Sequence, residues 1–536
     1  MTDSLLGNRS GLADTLVVGA AVRTLDPSRP TATAVAIRDG VIAALDEEAL
    51  DLRGSRTSVI DLAGATLTPG LVDGHTHPIL GAELFVGTDL SSCKDLDDVR
   101  RVLAAAVVDL EPGEWLRGVG LNHNVFGGAP ITNAPIDDVL EGIPALLRLY
   151  DGHSALASSA ALRAAGVHGR REFAVRSEVV CDAAGHPTGY LLEHAAIDLV
   201  ADVMPTASLA ERRDSAISIL AEMARSGLTG GHVMDGYPAT LDLLADIEAD
   251  GDLPMRLRLA PGCWPGEDLE ALVQQQRRHG RRWAARAVKL FIDGTVEGGT
   301  AWLRRPDCHG QSTDSLWLDP AEYTKSVQYL AAAGVQTATH ALGDAGVRHV
   351  IDALEDVDTH GVRHRIEHLE TLPLEDIRRL VRAGLVASMQ PSHSAYTTAD
   401  HVDEWSRRLG EERANRGWCC RDVRDAGGIL VLGSDWPVAD YDARDVLTYA
   451  RLRRPAGTDK QPFLPEQGLT GLMALEGMTT HAALAAGEES VAGRIVPGMR
   501  ADLTAFAIDP VTAPADEVAE APIRLTMVDG TVTHQA

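Results

Sequence analysis

The sequence predicts an α/β fold: a (β/α)8 TIM barrel with a β-sandwich domain built from both termini and an inserted subdomain after strand 1. Three observations predict it. Short β-rich runs alternate with helical stretches through the middle of the chain, as in a parallel sheet or barrel. Both ends consist of short apolar runs joined by turns. One connection in the middle is far too long for a single βα loop.

The N-terminal part, residues 1–69, reads as hairpins: Thr15-Leu-Val-Val, then Ala34-Val-Ala-Ile and Val41-Ile-Ala-Ala around Asp39-Gly40. Asp-Gly between two apolar runs is a strong hairpin signal. Residues 487–536 repeat the style, with Asp502-Leu-Thr-Ala-Phe-Ala-Ile, then Leu525-Thr-Met-Val, Asp529-Gly530 and Thr531-Val. The two ends together form one sandwich in this reading.

Residues 70–486 form the barrel. Its eight candidate strands end at His75/His77, precede Gly230-Gly231-His232, and cover Met255-Arg-Leu-Arg-Leu-Ala and Ala287-Val-Lys-Leu-Phe-Ile. They continue with Val335-Gln-Thr-Ala-Thr-His340, Arg365-Ile-Glu-His368, Leu385-Val-Ala-Ser-Met and Ile429-Leu-Val-Leu-Gly-Ser-Asp435. The segment of about 82–225 has its own strands, at Trp115-Leu-Arg-Gly-Val and Leu146-Leu-Arg-Leu-Tyr, and reads as a subdomain capping the barrel mouth.

Composition narrows the function. A formal charge of −28 argues against nucleic acid, whose phosphates need a basic face, and against an anionic membrane surface. No segment approaches the roughly 18 uninterrupted apolar residues of a membrane helix. Met1-Thr2-Asp3-Ser4 lacks a basic flank before an apolar core, which predicts no signal peptide. Cys93, Cys181, Cys263, Cys308, Cys419 and Cys420 form no CxxC pair, so reduced thiols in a cytoplasmic protein are expected.

In such barrels the chemistry sits at the C-terminal ends of strands. His75-Thr76-His77 puts two imidazoles on one face of a strand, because side chains alternate with period two. Such a pair can chelate a metal ion. Lys289 is one of only four lysines, and it lies in an apolar strand where burial favours the neutral amine. Two readings are open there: capture of carbon dioxide as a metal-bridging carbamate, or a lysine that snorkels or pairs with Asp293. His340 and His368 end consecutive strands. Asp435 ends the last one, where it either caps the next helix or ligates a metal and takes a proton from bound water.

These residues resemble, in type and order, the amidohydrolase superfamily, in the branch of N-substituted formamide deformylases and YtcJ-like hydrolases. The likeness is carried by Thr68-Pro-Gly-Leu-Val-Asp-Gly-His-Thr-His77, Asp151-Gly-His153 and Val288-Lys-Leu-Phe-Ile-Asp-Gly294. It extends to His340-Ala-Leu-Gly-Asp344, Arg365-Ile-Glu-His368, Gly433-Ser-Asp-Trp-Pro437 and Gly498-Met-Arg-Ala-Asp502-Leu503, from about residue 14 to 532. It implies a centre of one or two divalent metal ions, zinc as a rule. His75, His77 and Asp435 would hold one ion, His340 and His368 the other, with carboxylated Lys289 as the bridging ligand.

The implied function is hydrolysis of a non-peptide carbon–nitrogen bond, of amide or N-formyl type, in a small-molecule substrate. Metal-bound hydroxide attacks, and Asp435 relays the proton. Cyclic amide or ester hydrolysis, or a decarboxylase or isomerase reaction on the same fold, is the alternative. A metal-binding protein without turnover is disfavoured by the intact ligand set. The resemblance also points to a homodimer. Departures fall where the pocket is expected: Gly120-Leu-Asn122-His123-Asn124 replaces a Gly-Trp-Asp pattern, and Ser158-Ser159 replaces Asn-Ser. Pocket candidates are therefore Asn122, His123, Glu297, His393 and Trp436. His153 is expected to polarise the scissile carbonyl or bind the leaving group, with a structural role as the other reading.

Overall fold

The computed structural model describes residues 11–84 and 86–536; Met1–Ser4, the basis for expecting no signal peptide, lies outside them. The middle of the chain holds parallel strands β1 (Leu71–Thr76), β2 (Leu228–Val233), β3 (Arg256–Leu259) and β4 (Ala287–Phe291). It continues with β5 (Gln336–Ala341), β6 (Arg365–His368), β7 (Val386–Met389) and β8 (Leu430–Leu432). Strands β1 to β3 form one parallel sheet and β4 to β8 another, each in sequence order. A short strand that the sequence did not reveal, Trp283–Ala285, pairs with β3.

Backbone hydrogen bonds join the two sheets at both edges. Lys289 N–H donates to Pro261 O and Cys263 N–H to Lys289 O, each at 2.8 Å. At the other edge Asp435 N–H donates to the His75 carbonyl at 2.7 Å. That second contact demands glycine. A Cβ on Gly74 would lie 2.1 Å from Val431 Cγ1, and one on Gly433 would lie 2.5 Å from the His75 nitrogen. The same crowding corrects the second strand. It runs through Gly230-Gly231-His232 rather than stopping before them, because a Cβ on Gly230 would sit 3.0 Å from the Arg256 carbonyl.

The termini contribute a four-stranded sheet, with Thr15–Val18 between Val35–Arg38 and Ser58–Asp61, and a six-stranded sheet. In the second, Thr66–Pro69 pairs with Leu503–Phe506 across most of the chain length. One apolar cluster takes Val17, Ile37 and Ile42 from the first sheet and Leu67, Leu503 and Met527 from the second. Both predicted Asp-Gly turns have left-handed central residues, with φ of 52° and 77° at Asp39-Gly40 and 49° and 71° at Asp529-Gly530. That conformation matches the twist of a two-residue hairpin.

Residues 88–192 carry a separate six-stranded sheet with its own apolar clusters. Helix Leu209–Arg225, opened by a capping box at Ser208 and Glu211, instead sends Ile219, Leu220 and Met223 into the main core. Among the described residues no helix is long and apolar enough to cross a membrane. All six cysteines are free; Cys419 and Cys420 pack in the core.

Two imidazoles, buried His364 and half-buried His481, set a pH limit on this framework. Thr337 N–H donates to His364 Nδ1 at 3.1 Å, and Leu430 N–H donates to His481 Nδ1 at 3.0 Å, so both rings must be neutral. Burial pushes each down to about 4 from the usual 6.5. Between those values the unfolded chain takes up protons that the folded chain does not, so stability is full above about 6.5 and falls as pH drops towards 4. Chemical denaturation at pH 7 and pH 5 should show this loss, reduced in a His364→Asn, His481→Asn double variant. An identical pH slope in the variant would count against it.

Candidate metal centre

Strand ends bring the predicted residues together. His75 and His77 project from β1 into the space where Asp435, just beyond β8, meets them. Asp435 Oδ1 lies 3.4 Å from His75 Nε2 and 3.1 Å from His77 Nε2. Its other oxygen is 3.7 Å from His368 Nδ1 and 3.8 Å from His393 Nε2. Two compact donor sets therefore share one carboxylate: His75, His77 and Asp435, and His368, His393 and Asp435, with donor atoms within 4.8 Å of one another in each. His340 stands beside them, its ring 4.5 Å from that of His368, but its Nε2 faces the Gly294 carbonyl at 3.3 Å.

The donor chemistry fits a divalent cation. Burial holds His75, His340 and His368 well below the usual imidazole range, so each ring offers a lone pair. His75 Nδ1–H donates to Glu367 at 2.6 Å, which fixes the tautomer and turns Nε2 towards the centre. Gln390 Oε1 accepts from His368 Nδ1–H at 2.9 Å. His77 Nδ1 and His393 Nε2 are buried without hydrogen-bond partners. Burial alone would push Asp435 up, but His75 and His77 hold its carboxyl well below the carboxylate range.

For two residues the partner named in the non-metal reading is engaged elsewhere. Lys289 does not pair with Asp293, whose oxygens accept backbone N–H groups of Leu342, Gly343 and Trp302. Its amine sits 3.3 Å from His75 Nε2 and over the Phe291 ring, and burial pushes it down to about 8. Asp435 caps no helix; the next one, Ala443–Leu452, is capped by Asp442.

A cavity of about 690 Å³ opens over this cluster, within the usual range for small-molecule sites. Trp264 stacks on Phe291 at 5.1 Å on one wall, and Tyr150 stacks on Tyr396 at 3.8 Å on another. His153 lines it, its Nδ1–H held by Glu193 at 2.7 Å and its ring 4.7 Å from His340. Burial would lower His153, but the adjacent Glu193 carboxylate outweighs it and raises the imidazole. Glu297 lines the cavity too. Burial and the neighbouring Glu370 raise it well above the carboxylate range, and Tyr150 donates to it.

Three expected pocket residues lie elsewhere. Asn122 caps the short turn His123–Phe126 through Asn124 N–H. His123 is buried behind the wall against Tyr190 and Ser154. Trp436 turns away to cover Gly81 and meet Tyr441. Conversely, the sequence reading missed Glu367, Glu193 and Asp235, which lines the cavity with Oδ1 3.9 Å from His77 Nδ1, and gave His393 to the pocket alone. A signal for Glu367 was present: Arg365 and Glu367 are charges two apart in a fully buried strand. Asp235 comes from a loop and His393 from the short 3-10 helix Pro391–Tyr396, and neither left a periodic trace.

The sequence profile of the amidohydrolase family matches residues 58–534. The chain is 29% identical over 516 residues to the LONG AFTER FAR-RED 3 protein of Arabidopsis thaliana, covering 92% of this chain and 86% of that one. It is 27% identical to the YtcJ amidohydrolase of Bacillus subtilis (strain 168), covering 94% and 96%. Identity to an N-substituted formamide deformylase of Arthrobacter pascens is 26%, covering 98% and 99%. The fold is shared with a metal-dependent hydrolase of Pyrococcus horikoshii, at a TM-score of 0.72 and 20% identity over 94% of this chain and 99% of that one.

Glu367 reaches the centre through its hydrogen bond to His75. Its replacement by Gln is expected to weaken divalent-metal affinity about 10–100-fold, measured by competition with a chelator. Unchanged affinity would show that the bond to His75 does not orient the ligand.

Proposed function

This chain belongs to the amidohydrolase family, in its YtcJ-like branch, and from that premise we propose that it hydrolyses a non-peptide carbon–nitrogen bond of amide or N-formyl type. The observation that carries the reading is the pair of His/His/Asp sets sharing Asp435 on the floor of an aromatic-walled cavity. The likeness to an N-substituted formamide deformylase over nearly the whole chain supports the bond type. In this reading the two parallel sheets are one TIM barrel, residues 70–486, and the two terminal sheets, drawn jointly from 1–69 and 487–536, face each other as one sandwich.

His75, His77 and Asp435 would hold one zinc ion, and His368 and His393 would help to hold the second. His340 completes the set, and Lys289, as its carbamate, would bridge the pair. When bound, such ions supply Lewis acidity, acidifying a water molecule and polarising a carbonyl. The protein's residues do the rest. Asp435, ionised at neutral pH, accepts the water proton and returns it to the departing nitrogen. His153, oriented by Glu193, donates its Nε2–H to the substrate carbonyl oxygen. The walls formed by Trp264, Phe291, Tyr150 and Tyr396 hold an apolar N-substituent and exclude water.

Zinc-loaded protein should turn over members of a panel of N-formyl amines, amides and esters, and Asp435→Asn should lower kcat about 10²–10⁴-fold. Undiminished turnover in that variant, or tight metal binding with no turnover on the panel, would refute the proposal. Lys289→Ala should lose metal content and activity together. Full metal occupancy in that variant would exclude the bridging role.

A further inference from the structure

A second cavity, of about 250 Å³, lies at the opposite ends of β1 to β3, where the parallel sheet meets the C-terminal segment. Six arginines line it, Arg256, Arg258, Arg281, Arg282, Arg286 and Arg500, against two carboxylates, Glu488 and Asp502. In a chain of net charge −28 this is a local excess of cations.

Four of the six have acidic partners. Arg256 and Arg282 reach Asp529, Arg281 reaches Asp252, and Arg500 reaches Glu488. Asp502 lies 3.5 Å from Arg256 Nε and 3.4 Å from Arg500 Nε, yet neither nitrogen makes a hydrogen bond. Arg258 and Arg286 differ. Among the described residues, neither has a carboxylate within ion-pair distance. Arg258 donates only to neutral oxygens, Arg286 O at 3.0 Å and Gln336 Oε1 at 3.3 Å, and its Nε is buried without a partner. Arg286, at the solvent-exposed rim, donates to the Gln276 carbonyl at 2.6 Å and the Ala285 carbonyl at 3.0 Å. Burial pushes Arg258 down to about 10, with Glu488 opposing the shift.

An uncompensated guanidinium in a concave site is stabilised by an anion, and its planar fork matches the oxygens of phosphate better than a point charge would. The cavity is smaller than the roughly 300 Å³ at which ordinary ligand sites begin, which suits a compact oxyanion. We infer that this cavity binds phosphate, as the free ion or as the phosphoryl group of a small metabolite, through Arg258 and Arg286. The site is separate from the metal centre; His232 lines it and meets Arg365 on its other side at 2.6 Å.

Calorimetric titration of the metal-loaded full chain with inorganic phosphate and with glycerol phosphate, at fixed ionic strength, tests this. Saturable one-to-one binding is expected, at least tenfold weaker in Arg258→Gln and in Arg286→Gln, with metal content unchanged. Tighter binding of the first probe identifies the free ion, and of the second a phosphorylated metabolite. If Arg258→Gln fails to fold, Arg286→Gln carries the comparison. Absence of saturable binding for both probes would overturn the inference. So would equal affinity in the variants, which would place the anion at the metal centre.

Discussion

The Asp435 carboxylate is the point on which the site depends. Among the described residues it alone belongs to both histidine sets, and it occupies that position because its own N–H closes the edge between β8 and β1. Its backbone is left-handed, with φ of 57°, a conformation that is uncommon for a non-glycine residue and better tolerated by Asp than by most. Its surroundings include Gly74 and Gly433, whose missing side chains let the two strands approach. Framework and chemistry thus share one constraint: the strand contact that joins the sheets also delivers the acidic group to the histidines.

Charge burial around this point is managed by partners. Arg365 is almost wholly buried, and it donates to Glu367 at 2.8 and 3.0 Å, to the Gly74 carbonyl at 2.7 Å and to Ser388 at 2.9 Å. Glu367 passes this order to His75. Removing one member of such a buried pair costs about 3–5 kcal/mol, since the other is left uncompensated. Asp73, pushed up to about 6 by burial, is bound by Ser434 Oγ at 2.5 Å and by two backbone N–H groups, and so fastens the turn that presents Asp435. The polar interior is therefore one connected network from β1 through β6 to the end of β8.

Much of this was legible in the sequence because strand periodicity and strand ends are local signals. His75, His77, Lys289, His340, His368 and Asp435 all stand at or near the ends of short apolar runs, and the structure gathers them at one end of the parallel strands. Hairpins at Asp39-Gly40 and Asp529-Gly530 were equally local. The partners of these residues were not. His153 meets Glu193 across forty positions, and His75 meets Glu367 across nearly three hundred. His393 reaches Asp435 from the short 3-10 helix Pro391–Tyr396, which no periodicity announces. Asn122 and His123 were assigned to the pocket by their departure from a motif, but packing turned one into a cap and buried the other behind the wall.

The most direct measurement is anomalous X-ray scattering at the zinc edge from crystals of the zinc-loaded protein. The account predicts density for zinc enclosed by His75, His77 and Asp435, with a second site towards His368 and His393. Zinc-loaded crystals with no anomalous peak between these side chains would contradict it.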